Sequence, residues 1–197
     1  MKPDATTLRL ALLPRAGIAT DAVLLVAGAL LVAAAAQIVI PLPFTPVPIS
    51  AVTFGVLLVG ASYGAARGAA ALALYVLVGA LGAPFYAPGE TEGVARLLGP
   101  TGGYLLSYPL AAALTGWLAE RQWDRRFRSA ALAMLAGSAV IYAIGLPWLA
   151  LVLGTGFGET LVLGLWPFVP GDMLKLALAG AVLPGAWRLV GRMTGRE

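Results

Sequence analysis

Neither cysteine nor histidine occurs anywhere in the 197 residues. Their absence removes disulfide frameworks, His or Cys metal sites and any imidazole general base. Charge is scarce as well, at 11% of positions against 60% hydrophobic ones, whereas a soluble domain carries about a quarter charged. No stretch reads G-x-x-x-x-G-K-[ST], the phosphate-cradling loop, so the chain carries no recognisable ATP-hydrolysing motor of its own. A soluble fold of this size has too little interior for so much apolar surface. A bilayer accepts it, because hydrocarbon replaces the core and a spanning helix needs about 20 apolar residues. The net charge of +4 then reads as loop charge on the cytoplasmic side, and no nucleic-acid partner is expected.

What is present is a series of apolar runs that predicts an all-α integral membrane bundle in one domain, 1–197, with spans at 20–40, 49–62, 68–83, 102–119, 130–153 and 172–190. The first run reads as helix one rather than a cleaved signal peptide, since a long charged segment precedes it and further spans follow. It ends at the Pro-rich segment Pro41 to Pro48, which cannot continue a helix. The second and third runs are short for spans, separated by a tight turn at Tyr63 to Arg67. Six spans place both termini on one side. Lys2, Arg9, Arg15, Arg67, Arg121, Arg125, Arg126, Arg128, Arg188, Arg192 and Arg196 fall on that side, while Glu90, Glu92, Glu159 and Asp172 fall on the other. Basic residues concentrate in cytoplasmic loops, so both termini are expected there. Arg96 and Lys175 are the two exceptions and call for a separate explanation.

In helix one, Ala22, Ala29, Ala33 and Ala36 with Gly28 set small side chains at spacings of three, four and seven. Such a face lets another backbone come close, inside the bundle or on a partner subunit. Two Gly- and Pro-rich motifs open later helices: Gly99-Pro100-Thr101-Gly102-Gly103-Tyr104 before helix four and Pro167-Phe168-Val169-Pro170-Gly171-Asp172 before helix six. Free N–H groups at helix starts favour an anion or a carbonyl-rich ligand nearby, and equally serve simple helix initiation. Asp172 and Lys175 stand three apart, hence on one helix face. Charges at membrane depth are costly unless paired or wetted, which suits a ligand-binding pair or an N-terminal Asp with a snorkelling Lys. The aromatics Phe44, Phe85, Tyr86, Tyr104, Tyr142, Trp148 and Trp166 gather toward the outer helix ends. They read as an interfacial belt, with those turned inward walling a pocket for a flat ligand.

The ordered set Ile40-Pro41-Leu42-Pro43-Phe44-Thr45-Pro46-Val47-Pro48-Ile49, Gly99-Pro100-Thr101-Gly102-Gly103-Tyr104-Leu105 and Pro167-Phe168-Val169-Pro170-Gly171-Asp172 with Lys175 resembles the BioY family, the biotin-binding S components of energy-coupling factor (ECF) transporters. The resemblance implies a six-helix S component, not an enzyme, that takes biotin from outside. It also implies membrane lipid around the chain and coupling to a transmembrane T component and two ATPases, with self-association left open and no cofactor. Ala22, Ala29 and Ala33 then match the surface that S components use to dock on the T component. Carried over onto matching positions, Asp172 and Lys175 are the acid and base of the helix-six motif. Tyr104 belongs to the Gly-Pro-Thr motif, Phe44 to the Pro-rich one, and Tyr142 and Trp148 match aromatic positions of helix five. Biotin has a ureido ring with two N–H groups and a carbonyl, and a valerate carboxylate. Asp172 can accept from the N–H groups, Lys175 can meet the carbonyl or neutralise the acid, and Arg96 suits the carboxylate through a two-point contact. One departure is Val52, where many relatives carry Gln, so no polar contact is expected from that position of helix two.

Three rival readings are an S component for another vitamin, an intramembrane hydrolase and a structural scaffold. A hydrolase without His or Cys needs a Ser with a Lys base, and Lys175 beside Ser50, Ser107 or Ser138 is the one thinkable pair.

Overall fold

The computed structural model describes residues 7–13, 17–89 and 91–193. Lys2, Arg15, Glu90 and Arg196, which enter the charge count, lie outside the described residues. The elements in chain order are α1 (Leu8–Leu12), α2 (Ile18–Ala36), β1 (Val39–Ile40), β2 (Ile49–Ser50), α3 (Val52–Tyr63), α4 (Ala65–Ala80), α5 (Gly93–Leu98), α6 (Gly102–Glu120), a 3-10 turn at Trp123–Arg125, α7 (Phe127–Leu153), α8 (Phe157–Gly164) and α9 (Val169–Met193).

Three of these, Ile18–Ala36, Phe127–Leu153 and Val169–Arg192, are long and apolar enough to cross a membrane. Their outward faces carry Val23, Leu30, Leu132, Leu174 and Leu189, each about half exposed or more. Such a surface suits hydrocarbon and would be a liability in water. Helices α3 and α4 have 12 and 16 residues, which gives them lengths of about 18 and 24 Å against a hydrocarbon core of about 30 Å. Their shortness leaves room for non-helical segments at both of their cavity-end connections, 37–51 and 81–89. Backbone of that kind is tolerated at membrane depth where protein covers it. The Pro-rich stretch suits this setting because proline has no N–H to satisfy.

The first apolar run differs most from expectation. Helix α2 stops at Ala36, and Val39 and Ile40 instead pair antiparallel with Ser50 and Ile49. This short ladder closes residues 41–48 into a loop that folds back over the bundle. Between α3 and α4 the turn narrows to Gly64, whose φ of +86° and ψ of 174° belong to a region that only glycine enters without strain. Arg67 sits inside α4 rather than in the turn.

The small-residue face of α2 is used within the chain. Ala29 is 1% and Ala33 8% exposed, and a Cβ on Gly28 would stand 2.9 Å from Tyr63 and 3.2 Å from Ala71. Two of the three alanines expected at a partner surface are thus covered by α3 and α4, and Ala22 alone of the three is exposed. The physical reason is that α3 and α4 present equally small residues, so the backbones close on each other. The same device recurs where α3 meets α6: a Cβ on Gly60 would lie 2.6 Å from the carbonyl oxygen of Ala112.

At the end of the bundle bearing α1, charges are matched internally. Arg9 donates to Asp21 at 2.5 Å, and Arg67 donates to both oxygens of Asp21 at 3.1 and 3.0 Å, which joins α1, α2 and α4. Glu120 accepts from the N–H of Ala65 at 2.9 Å. Asp124 accepts from the indole N–H of Trp187, and the Arg125 guanidinium stacks on that indole at 3.4 Å.

Candidate functional site

The other end holds a cavity of about 670 Å³ including its mouth. Helices α3, α4, α6, α7 and α9 supply its walls, and the loops at 47–50 and 86–87 close over it. Five of the six tyrosines line it: Tyr75, Tyr86, Tyr104, Tyr108 and Tyr142. Tyr75 is fully buried and packs edge-on to Tyr86, ring centres 5.8 Å apart, with Tyr108 at 6.2 Å; Tyr104 meets Tyr142 at 89°. Aromatic walls of this kind offer flat apolar surface at low entropic cost.

Besides Arg96, two charged side chains on the wall are paired with each other. Lys175 Nζ donates to Asp172 Oδ1 at 3.0 Å and to Thr53 Oγ1 at 2.9 Å, and Tyr142 donates its hydroxyl to Asp172 Oδ2. Both side chains of the pair are mostly buried, at 17% and 19% exposure. A buried pair gains little net stability over an apolar substitute once desolvation is counted, so stability alone does not explain why the charges are here. An ammonium has three donors and a carboxylate about four acceptor sites. The bonds above therefore leave one donor and two acceptor directions for a ligand. Asp172 also lies in the first turn of α9, where the helix dipole favours negative charge.

Two hydroxyls on the cavity wall, Tyr75 and Thr101, are buried and have no hydrogen-bond partner. An unpaired buried hydroxyl costs about 1–3 kcal/mol, and a polar ligand would relieve it. Arg96, on α5, reaches the same cavity and donates from Nη2 to the carbonyl of Ala87 at 3.2 Å. Its guanidinium passes over Gly89, where a Cβ would come within 2.3 Å of it. Tyr86 donates to the carbonyl of Val76 at 2.6 Å, and burial pushes its phenol up to about 12, so it stays neutral at ordinary pH.

Asp172, Lys175, Arg96, Tyr142 and Tyr104 thus share one cavity. Phe44 and Trp148 are not on its wall. Phe44 points outward, 57% exposed, at the tip of the Pro-rich loop. Trp148 serves the frame: its indole N–H donates to the carbonyl of Gly99 at 2.9 Å, and a Cβ on Gly103 would stand 2.3 Å from the Trp148 Cβ. The two adjacent glycines of the Gly-Pro-Thr-Gly-Gly-Tyr motif are what let α6 lie against that residue. The serines show no catalytic arrangement. Ser107 donates to the carbonyl of Tyr104 at 2.6 Å, and the two bonds of Lys175 go to Asp172 and Thr53.

Thr53, Tyr75, Thr101 and Tyr108 went unremarked as site residues in the sequence. Thr53 follows Val52 directly, so helix two does contribute a polar contact, one position beyond the expected departure. Its signal was its place at the start of α3, facing the same end as the helix-six motif. Tyr75 and Tyr108 lie within apolar runs, where a tyrosine reads as packing.

A model of the BioY family matches residues 5–192, almost the whole chain. The chain belongs to the BioY family. Its relatives include the biotin transporter BioY of Rhizobium etli, 37% identical over 147 residues covering 71% of this chain and 78% of that one. The biotin transporter BioY of Rhodobacter capsulatus is 37% identical over 166 residues, covering 78% and 85%. That of Thermotoga maritima is 36% identical over 143 residues, covering 73% and 82%. Among solved structures, the S-component for biotin from an ECF-type ABC transporter superposes with a TM-score of 0.74 over 86% of this chain and 92% of that one, at 22% identity. That likeness shows that this BioY chain has the all-helical membrane fold of an ECF S component.

Proposed function

We propose that this BioY chain is the biotin-binding subunit of an ECF transporter, a transport component rather than an enzyme, and that biotin occupies the tyrosine-lined cavity. The observation that carries the reading is the Asp172–Lys175 pair, held by Tyr142 and Thr53 in an otherwise aromatic wall. The ureido ring lies there, its N–H groups donating to Asp172 and its carbonyl accepting from Lys175. The fused rings stack among Tyr104, Tyr108 and Tyr142. The valerate carboxylate extends to Arg96, with the free hydroxyls of Tyr75 and Thr101 beside the ligand.

Helices α2, α3, α4, α6, α7 and α9 cross the cell membrane six times, with both termini in the cytoplasm and the cavity facing outward. The basic residues at the α1 end support that orientation. A T component and two ATPases supply the energy, consistent with the missing phosphate loop. Ala22 is the part of the expected docking face that stays available for the T component.

The test is saturable binding of biotin to the purified chain by calorimetry, with biotin methyl ester as the probe for the carboxylate. Saturable binding that the ester weakens, together with weaker biotin binding in Arg96→Ala, supports both the cargo and its placement. Equal biotin affinity in Arg96→Ala and wild type removes Arg96 from the site. A well-folded chain without biotin affinity overturns the cargo, and a thermal-shift panel of other vitamins then names the replacement. Uptake of labelled biotin with and without coupling subunits tests the partners.

A further inference from the structure

A second hollow, about 650 Å³ of open space, lies at the α1 end between the start of α7 and the later turns of α9. Its α9 wall is a stripe at helical spacing, Gly180, Ala181, Pro184 and Gly185, that ends at Arg188. Before Arg188 no member is larger than proline, so the stripe is a trough. Opposite stand Arg126 and Phe127, with Arg125 beside them already stacked on Trp187. The Phe127 ring lies 3.0 Å from where a Cβ on Gly180 would stand, which closes one end, whereas nothing approaches within 4 Å of that point at Gly185.

The charge around this trough is one-sided. Within 121–128 and 180–193 the one acid is Asp124, buried and already engaged by Trp187 and Arg125. Among the described residues no acid pairs with Arg126 or Arg188, and both are exposed. An apolar trough with the exposed guanidinium groups of Arg126 and Arg188 at its mouth, at the end of a spanning bundle, complements a phospholipid in shape and charge: an acyl chain below and a phosphodiester above.

We propose that this trough holds an anionic phospholipid, its phosphate met by Arg126 and Arg188 and the first part of an acyl chain lying along Ala181, Pro184 and Gly185 against Phe127. Free phosphate shares the headgroup chemistry and lacks the chain, which the trough is shaped to take. The site is independent of the tyrosine-lined cavity and of whatever fills it.

The experiment is thermal unfolding of the full chain in dodecylmaltoside micelles doped with phosphatidylglycerol, with phosphatidylcholine, or with inorganic phosphate alone. Phosphatidylglycerol is expected to raise Tm by about 5 °C, the size for a ligand near 100 times its Kd on a chain of this length. The other two arms leave Tm in place. The doubly substituted Arg126→Gln/Arg188→Gln loses the shift, and so does Gly185→Leu, which fills the trough with both arginines intact. Arg121→Gln/Arg128→Gln, exposed arginines outside the trough, retains it. An equal shift with phosphatidylcholine or with phosphate overturns the proposal, as does an equal loss in the Arg121/Arg128 variant, which would mark general surface attraction. Should the Arg126/Arg188 variant fail to fold, Gly185→Leu decides: a retained shift in that variant overturns the proposal.

Discussion

The two ends of the bundle handle buried polarity in opposite ways. At the α1 end, buried polar groups find partners in the chain: Arg9 is held by Asp21, and Asp124 by Trp187. Atoms without a bond there, such as Asp124 Oδ1, belong to groups already bonded through another atom. At the cavity end, the hydroxyls of Tyr75 and Thr101 have no partner at all, and the Asp172–Lys175 pair keeps spare donors and acceptors. One end is finished by folding and the other is left incomplete. Substitutions at the first should cost stability with little effect on ligand, and at the second the reverse.

The largest effect is expected from Asp172→Ala, which leaves the Lys175 ammonium without its counter-ion. Biotin Kd should rise at least ~30-fold, about 2 kcal/mol, by calorimetry. A variant that binds normally would place the ligand elsewhere. Next is Gly64→Ala at the α1 end. The added Cβ needs a backbone region costing about 1–3 kcal/mol and would press on Glu120 at 2.5 Å. Apparent Tm should fall by roughly 5 °C with Kd unchanged in the folded fraction.

The sharpest test of the contrast is smaller. Tyr75→Phe removes a hydroxyl that bonds no other group of the protein, so Tm should hold or rise slightly while biotin Kd rises about fivefold, near 1 kcal/mol. A fall in Tm with unchanged Kd would erase the distinction between the ends. The smallest effect concerns Asp124, whose carboxyl burial pushes above its ordinary value of 3.8, outweighing the opposing hydrogen bond from Trp187. A raised folded value means the group's favourable contribution is complete below 3.8 and is lost as pH climbs through the folded value. Tm followed from pH 4 upward should therefore decline more in wild type than in Asp124→Asn, which keeps an acceptor for Trp187 and carries no charge.

The apolar runs and motif order made most of the frame legible, because hydropathy and helix-breaking residues act locally. Asp172 and Lys175 were legible as a contact for the same reason, since a spacing of three fixes a shared helix face. Residues whose meaning depends on which neighbour they face were harder. Trp148 and Tyr142 lie six apart on one helix; the first braces Gly103 and the second reaches Asp172. Nothing in their local sequence separates them. The Ala face of α2 was legible as a close-packing surface, but whether α3 or another subunit covers it is decided by the small residues α3 and α4 present in return. Phe44 carried the wrong direction because β1 and β2 turn the loop back on itself, a pairing of two residues each that leaves too short a pattern to read.

Thr45 and Gln37 do for the loops what the ion clamps do for the helices, with far weaker bonds. Thr45 donates to the carbonyl of Leu163 at 2.7 Å, and Gln37 reaches the carbonyls of Pro84 and Tyr86 at 3.3 and 3.2 Å. Neutral hydrogen bonds contribute about 0.5–1.5 kcal/mol each, so these ties are individually weak, and the buried side chains of Val47 and Tyr86 add packing to them. Whatever loosens over the cavity mouth loosens first at these side-chain ties to backbone, because the loops, unlike the helices beneath them, carry few ladder bonds of their own.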